Sequence, residues 1–200
     1  MTTRKQSESS SRTLKDLFQM ELMDMYDAEH RIIRGLERLA KTAQADDVRD
    51  AFRNHLQETQ SDLEKIEQIF TSFGLKPRAK KCEGIVGVLE ESDEIASDFK
   101  RSQACDAALI SAAQKVEHYE IATYGCLQEW AELLGNDEAA TLLQEILENE
   151  KSANETLTEL ARSSSNEQAL NGRAETAGVG AQASRPSTTE EMEPDDSLNG

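Results

Sequence analysis

Apolar residues recur every three or four positions along four long segments of the chain, which is the spacing of one face of an α-helix. The first segment begins after Thr13, a residue type suited to capping a helix N-terminus, and ends near Gln44. Its apolar stripe is Leu14, Leu17, Phe18, Leu22, Met25, Ile32, Leu36, Leu39 and Ala40. No segment of the sequence alternates apolar and polar residues as a strand does, so the pattern predicts an all-α fold.

Three further helices follow the same spacing. Asp46 or Asp47 is expected to cap the second, which ends at Gly74, a residue that tolerates the backbone found just past a helix. The third ends at Gly135, and Asn136 caps the fourth. Their stripes are, in chain order, Phe52, Leu56, Leu63, Ile66 and Phe70; then Leu109, Ala112, Ala113, Val116, Thr123, Leu127, Trp130 and Leu134; then Leu143, Ile146, Leu147, Leu157 and Ala161.

The lengths of the connections predict how these helices pack. Short connections join the first helix to the second and the third to the fourth, so each pair forms an antiparallel hairpin. The connection between the second and third helices is about thirty residues long, roughly 75–104, and holds a short extra helix from Ile85 to Ile95. A connection of this length lets the second and third helices run parallel, as in a ferritin-like four-helix bundle with one long crossover.

Composition places this bundle at residues 13–162. All nine aromatic residues lie between Phe18 and Trp130, whereas residues 163–200 are rich in Gly, Ser, Thr and Asn. A segment of that composition cannot bury enough apolar surface to offset the entropy lost on ordering. We therefore expect a disordered acidic tail at 163–200 and a disordered N-terminal segment at 1–12.

Charge and cysteine content narrow the range of functions. The formal net charge is -17, and a field of that sign repels nucleic acids and anionic membranes, so neither is expected as a partner. Apolar runs fall short of the roughly 18 residues that cross a bilayer, and the N-terminus lacks the apolar stretch of a secretory signal. The three cysteines include no Cys-x-x-Cys pair, which disfavours a zinc ribbon or a disulfide scaffold and indicates a cytoplasmic protein.

Three carboxylates interrupt the apolar stripes. Glu29, Glu120 and Glu150 lie three or four residues from core positions of the first, third and fourth helices, so each points towards the middle of the bundle. Burying one such charge costs several kcal/mol unless it is compensated. Three converging carboxylates cannot all stay ionised without a cation, so their placement predicts a metal site.

The two hairpins repeat each other at an offset of 91 residues, which places Glu29 on Glu120 and Leu36 on Leu127. Two hairpins related in this way pack around a pseudo-two-fold axis, with the two glutamates facing each other across it. Such a pair is the plan of bundle sites that hold two iron or manganese ions. The abundance of oxygen ligands favours Fe or Mn as the ion.

The second helix should supply a partner for Glu150. Its inward or edge-facing polar residues are His55, Glu58, Thr59 and Asp62. His55 and Glu58 are three residues apart, so both can reach one ion. The candidate metal ligands are therefore Glu29, His55, Glu58, Glu120 and Glu150.

The ligand set departs from the usual bundle pattern, in which Glu-x-x-His occurs on two of the helices. Here Ala153 stands three residues after Glu150, and Ser61 stands three residues after Glu58. With one inward histidine at most, the pattern is compatible with one ion, with two, or with a vestigial site. The alternative is a polar network without metal, in which Tyr26, Tyr119 and Tyr124 hydrogen-bond the buried acids.

Several blocks of the sequence resemble the YciF-like ferritin-like stress-protein family, long labelled a domain of unknown function. They are Thr13-Leu14-Lys15-Asp16-Leu17-Phe18, Tyr26-Asp27-Ala28-Glu29, His55-Leu56-Gln57-Glu58-Thr59, Lys81-Cys82-Glu83-Gly84, Gln114-Lys115-Val116-Glu117-His118-Tyr119-Glu120 and Glu150-Lys151. The resemblance covers about 13–161. It implies a rubrerythrin-related bundle, a homodimer and a link to bacterial or archaeal stress responses, but no reaction. The family usually has Glu-Glu-Lys in the last helix, and here Asn149 replaces the first Glu.

Two classes of function remain open at this point. One is a metal-binding stress protein that handles iron, manganese, peroxide or dioxygen through the bundle carboxylates. The other is a structural or partner-binding stress protein whose metal site is vestigial. No candidate base or substrate cleft in the sequence supports a metal-dependent hydrolase.

Overall fold

In a computed structural model, which describes residues 11–171, the chain forms five α-helices. They are α1 (Leu14–Thr42), α2 (Asp46–Ser72), α3 (Glu83–Phe99), α4 (Cys105–Leu133) and α5 (Asp137–Leu160). Within the described residues there is no strand, so the prediction of an all-α fold is confirmed. Among these same helices, none is long and apolar enough to cross a membrane.

Four of the helices form the bundle, in the circular order α1, α2, α5 and α4, while α3 packs on the outside against α1 and α4. The amide of Asn136, just before α5, donates a 3.0 Å hydrogen bond to Ser72 at the end of α2. The backbone N–H of Gln44, just after α1, donates a 2.8 Å hydrogen bond to Asp106 at the start of α4. These contacts make neighbouring helices antiparallel, so α2 and α4 run parallel, as the long crossover predicts.

Most helix ends follow the local sequence. Thr13 and Asp16 form a capping box at the start of α1, and the side chain of Asn136 caps α5. Gly74 and Gly135 follow the ends of α2 and α4 with φ of 71° and 73°. Only glycine adopts this backbone readily, because it has no Cβ to clash, so both helices stop where the sequence predicts.

The start of α2 differs from the prediction. Neither Asp46 nor Asp47 caps it: Ala45 is the N-cap residue, and both aspartates lie in the first turn. The carboxylate of Asp106 instead accepts hydrogen bonds from the backbone N–H groups of Gln44 and Ala45, at 2.8 and 2.9 Å. A side chain from a distant helix satisfies these donors, and local sequence gives no sign of it.

Two further boundaries extend beyond those predicted. The short helix expected from Ile85 to Ile95 is the middle of the 17-residue α3. At the C-terminus, a π-helical turn (Ala161–Ser165) continues α5, and helical backbone reaches residue 171, beyond the predicted domain end at 162. Packing explains the extension, because Ala161 contacts the core and Ser165 is buried. Residues 1–10 and 172–200, the rest of the two predicted disordered segments, lie outside the described residues.

Candidate metal centre

Each of the four bundle helices carries a buried polar side chain near its middle. Glu29 lies on α1, His55 on α2, Glu120 on α4 and Glu150 on α5, and all four are at most 5% exposed. They occupy helix positions that face the core, so the periodicity that buries leucines elsewhere buries these groups here. Four of the five predicted ligands therefore point into the bundle.

A compact cluster forms around the histidine. Ligand atoms of His55, Glu117, Glu120 and Glu150 all lie within 4.8 Å of one another. The Nε2 atom of His55 is 3.2 Å from Oε2 of Glu117 and 3.5 Å from Oε2 of Glu150. Small divalent ions bind nitrogen and oxygen at about 2.0–2.2 Å, so two ligands of one ion lie at most about 4.4 Å apart. Small side-chain movements would therefore bring all four residues to one ion.

The donor atoms of this cluster lack hydrogen-bond partners. Among the described residues, no partner is found for either oxygen of Glu120 or Glu150, either nitrogen of His55, or Oε2 of Glu117. A buried polar group without a partner costs about 1–3 kcal/mol, and a charged one costs more. One cation among these atoms would serve several of them at once, so the donor set fits a divalent metal ion.

The pKa values of the cluster residues are strongly shifted. Burial, and then the charges of Glu150 and Glu29, raise the pKa of Glu120 well above its usual range. Burial also raises the pKa of Glu150, although the charge of His55 opposes this. Burial lowers the pKa of His55, but nearby carboxylates, first Glu117, raise it well above its usual range. Protons and a cation thus compete for the same carboxylates.

Glu29 lies beside the cluster and accepts a hydrogen bond from a tyrosine. The hydroxyl of Tyr124, a fully buried residue, donates a hydrogen bond to Oε1 of Glu29. Burial raises the pKa of Glu29 to about 7, although the hydrogen bond from Tyr124 lowers it. Tyr26 and Tyr119, also expected near the acids, are only partly buried. Tyr124 is therefore the tyrosine of these three that hydrogen-bonds a core carboxylate.

Asp62, fully buried on α2, has protein donors of its own. The amide nitrogen of Asn149 donates to both of its carboxylate oxygens, at 3.0 and 3.1 Å. The ammonium of Lys65 donates to Oδ1 at 2.9 Å. A Glu at position 149 would place a second carboxylate against Asp62. An amide and an ammonium thus satisfy this buried carboxylate, which lies outside the cluster.

The structure places Glu58 outside the cluster. Its side chain is 52% exposed, and its Oε2 lies 3.5 Å from Nδ1 of His55, the ring nitrogen turned away from the inner carboxylates. Glu117, which is not among the five predicted ligands, joins the cluster instead. Its signal was present, because Glu117 and Glu120 are three residues apart on one helix and can reach the same ion.

The pseudo-symmetry of the hairpins breaks at the site itself. The offset of 91 pairs Glu150 with Thr59 and Glu117 with Tyr26, neither of which is an acid. The hydroxyl of Thr59 donates to the backbone carbonyl of His55 at 2.8 Å, so it serves its own helix. Among the described residues, most of the core carboxylate oxygens without partners therefore belong to the second hairpin, on Glu117, Glu120 and Glu150.

Comparisons with known proteins give a consistent result. A family model described as a domain of unknown function (DUF892) matches residues 13–170. Protein YciF of Escherichia coli (strain K12) is 43% identical over 161 residues, which cover 80% of this chain and 97% of YciF. These findings confirm the resemblance seen in the sequence blocks.

Solved structures match over a similar range. The crystal structure of the E. coli stress protein YciF matches with a TM-score of 0.72 at 44% identity, covering 75% of this chain and 95% of that one. YcfI from Rhodopseudomonas palustris, described as a putative structural protein, matches with a TM-score of 0.72 at 38% identity, covering 76% of this chain and 98% of that one. The helical bundle is therefore shared with proteins of known structure.

Proposed function

This chain belongs to the DUF892 family, and we propose that it is a stress protein that binds one divalent iron or manganese ion in its bundle core. The ligands in this proposal are His55, Glu117, Glu120 and Glu150. The observation that carries it is the group of buried donor atoms in these four residues that have no hydrogen-bond partner among the described residues. One imidazole nitrogen and three carboxylates form an oxygen-rich set that suits Fe²⁺ or Mn²⁺.

A single ion is favoured by the protein donors at two other buried acids of the core. There, Tyr124 donates to Glu29, while Lys65 and Asn149 donate to Asp62. Both oxygens of Asp62 and Oε1 of Glu29 are therefore already hydrogen-bonded, which leaves only Oε2 of Glu29 without a partner on these two residues in the described part of the chain. Glu29 thus adds negative charge beside the ion, and Glu58 lies at the outer face of His55.

Bound iron or manganese would supply redox chemistry towards peroxide or dioxygen, which accords with the description of the E. coli relative as a stress protein. The residues of this chain provide the surroundings of that ion. Fully buried Leu22, Met25 and Leu109 belong to the apolar core that keeps water from the bundle interior. Tyr124 donates a hydrogen bond to Oε1 of Glu29, and burial and the charge of Glu29 raise the pKa of Tyr124 well above its usual range, so this hydroxyl stays protonated beside the cluster.

The alternative is a structural stress protein without metal. It draws support from the description of the R. palustris relative as a putative structural protein and from the raised pKa values of Glu120 and Glu150. Protons alone would then neutralise the acids. In that case the cluster would specify the packing of the helices. An added ion would then neither bind to the protein nor change its free energy of unfolding.

We further propose a cytoplasmic homodimer. Exposed apolar side chains such as Leu17 on α1 and Leu133 on α4 offer surface for a second copy. The thiols of Cys82, Cys105 and Cys126 are free, which suits a reducing compartment. Light scattering at micromolar concentration tests the assembly, and a mass of one chain would refute it.

Metal analysis tests the proposed function. Protein purified without a chelating tag is stripped of metal, reconstituted with Mn²⁺ and freed of excess ion. We expect one ion per chain, and none in the double variant Glu120→Gln, Glu150→Gln. The matched control is Glu155→Gln, because Glu155 is an exposed acid on the same helix as Glu150. Failure of the folded wild-type protein to retain Mn²⁺ or Fe²⁺ would refute the proposal.

A further inference from the structure

A cavity of about 150 Å³ lies between α2 and α5. Its polar lining consists of Asn54, His55, Glu58, Ser152 and Thr156. Glu58, whose side chain is exposed, lines the end of the cavity that opens to solvent. His55, which is buried, lines its inner end. The cavity therefore leads from the surface to the outer face of the histidine that belongs to the candidate metal centre.

The imidazole ring of His55 lies between this cavity and the inner carboxylates. Its Nδ1 atom lies 3.5 Å from Oε2 of Glu58, and its Nε2 atom lies 3.2 Å from Oε2 of Glu117. Within the described part of the chain, Nδ1 has no hydrogen-bond partner. Nδ1 of His55, a buried nitrogen without a partner, therefore lies close to the exposed carboxylate of Glu58. Both residues line the cavity, which is large enough to hold several water molecules.

The chemistry of the lining suits a hydrated divalent cation. The carboxylate of Glu58, the amide oxygen of Asn54 and the hydroxyls of Ser152 and Thr156 are oxygen donors that can replace water around a hard ion. None of the residues that line this cavity is Lys or Arg. The net charge of -17 also raises the local concentration of cations near the surface.

A second cavity reaches the same centre from the opposite side and offers no such path. It touches Glu117 between α1, α3 and α4, but it holds only about 20 Å³. Its walls are mostly apolar, and its outer acid, Asp93, is paired at 3.0 Å with Arg38, whose positive charge repels a cation. A hydrated ion does not fit this space, so the cavity beside His55 is the better route.

We propose that the cavity between α2 and α5 is the entry route for the cation, and that Glu58 and Nδ1 of His55 hold the ion before it reaches the inner carboxylates. A turn of the His55 imidazole would then offer Nε2, the nitrogen beside Glu117 and Glu150, to a captured ion. This inference rests on the proposed single-ion centre. It assigns Glu58 to the capture of the ion, whereas the four buried residues determine how tightly it is finally held.

Stopped-flow uptake of Co²⁺ by the metal-free full-length protein tests this assignment. Co²⁺ has a visible absorbance that reports its ligands, and it binds such sites at least as tightly as Fe²⁺ or Mn²⁺. Glu58→Gln removes the capturing charge, and Ala153→Leu narrows the cavity from the α5 side. Ser152→Leu, at an exposed lining position, repeats the narrowing should Ala153→Leu fail to fold.

We expect each variant to slow Co²⁺ association by about tenfold, and to slow release into excess chelator by a similar factor. Equilibrium affinity, which is the ratio of the two rates, should then change by less than about twofold, with one ion per chain. Glu64→Gln is the matched control, because Glu64 is an exposed acid of α2 that does not line the cavity. Its uptake rate should equal that of the wild-type protein.

Two results would overturn the entry route while leaving the metal centre intact. One is wild-type uptake rates in both Glu58→Gln and the narrowed variants, with one Co²⁺ per chain. The other is a loss of affinity in Glu58→Gln at an unchanged association rate, which would make Glu58 a ligand. Failure of the wild-type protein to bind Co²⁺, Mn²⁺ and Fe²⁺ would instead refute the proposed function itself.

Discussion

Nε2 of His55 lies 3.2 Å from Oε2 of Glu117, and this contact joins α2 to α4 through the middle of the bundle. These two helices are diagonal neighbours, since α1 and α5 separate them around the bundle. Both groups are buried, and these two atoms do not form a hydrogen bond with each other. Both are therefore available to bind a cation. The contact therefore defines the centre of the candidate metal site.

Glu117→Gln should weaken metal binding. The change keeps the shape of the side chain but removes one anionic ligand, so the Kd for Mn²⁺ should rise by at least about tenfold, or about 1.4 kcal/mol. Equilibrium dialysis measures this directly. His118→Gln is the matched control, because His118 is the next residue and is exposed. Equal Mn²⁺ affinity in both variants would remove Glu117 from the ligand set.

The metal-free protein should lose stability as pH rises. Glu29 has an ordinary pKa of 4.5 and a pKa of about 7 in the folded protein, because burial disfavours its charge. Between these values the folded state binds more protons than the unfolded state, so the free energy of unfolding falls as pH increases through this window. Thermal melts of metal-free protein from about pH 5 to about pH 8 should show a falling Tm.

Two comparisons make the pH prediction specific to the core. Glu29→Gln cannot ionise, so its Tm should fall less over the same range than that of the wild-type protein. Mn²⁺ should have the opposite pH dependence, because protons compete with it for the carboxylates, and its stabilising effect should grow as pH rises. A Tm of the metal-free wild type that increases across this range would contradict the burial argument.

Asn149→Glu tests whether the centre holds one ion or two. The new carboxylate would face Asp62, which now accepts two hydrogen bonds from Asn149, so we expect a loss of about 1–3 kcal/mol of stability. Denaturant unfolding of the metal-free protein measures this loss. We expect the variant to bind one Mn²⁺ per chain, because Lys65 still donates to Asp62. Asn149→Gln keeps the amide and serves as the control. Two ions per chain in Asn149→Glu would show that Asn149 alone suppresses a second site.

Helix periodicity predicted the fold well because each helix must bury one face. The same periodicity identified Glu29, Glu120 and Glu150, since charged residues at core positions conflict with their neighbours. The cap of α2 was not predicted, because the donors before it bond to Asp106, about sixty residues later. Contacts between distant segments leave no local pattern to recognise.

The second helix limited the prediction of the site. Its inward face is centred on Thr59, so the adjacent Glu58 is turned by about 100° and lies at the surface, whereas His55 lies one turn earlier on the buried face. Glu117 was missed for a different reason. The internal repeat matches Glu120 with Glu29 but Glu117 with Tyr26, so the repeat gives no sign of Glu117. Here the site departs from the symmetry of its scaffold.

In the proposed metal centre, the buried carboxylates bind a cation in the native state only. A ligand with this property must stabilise the protein, by about 2.7 kcal/mol at a concentration of about 100 times its Kd. For a domain of this size that is a Tm increase of roughly 5–10 °C. Glu120→Gln should lose this increase, while its metal-free form melts at or above the wild-type temperature because like charges no longer repel.

The most direct measurement is therefore the Tm of the wild-type protein and of Glu120→Gln, each with and without Mn²⁺ or Fe²⁺, alongside bound metal content. We expect a metal-dependent rise in Tm and one bound ion for the wild type, and neither for Glu120→Gln. A wild-type Tm that is the same with and without both ions would contradict this expectation.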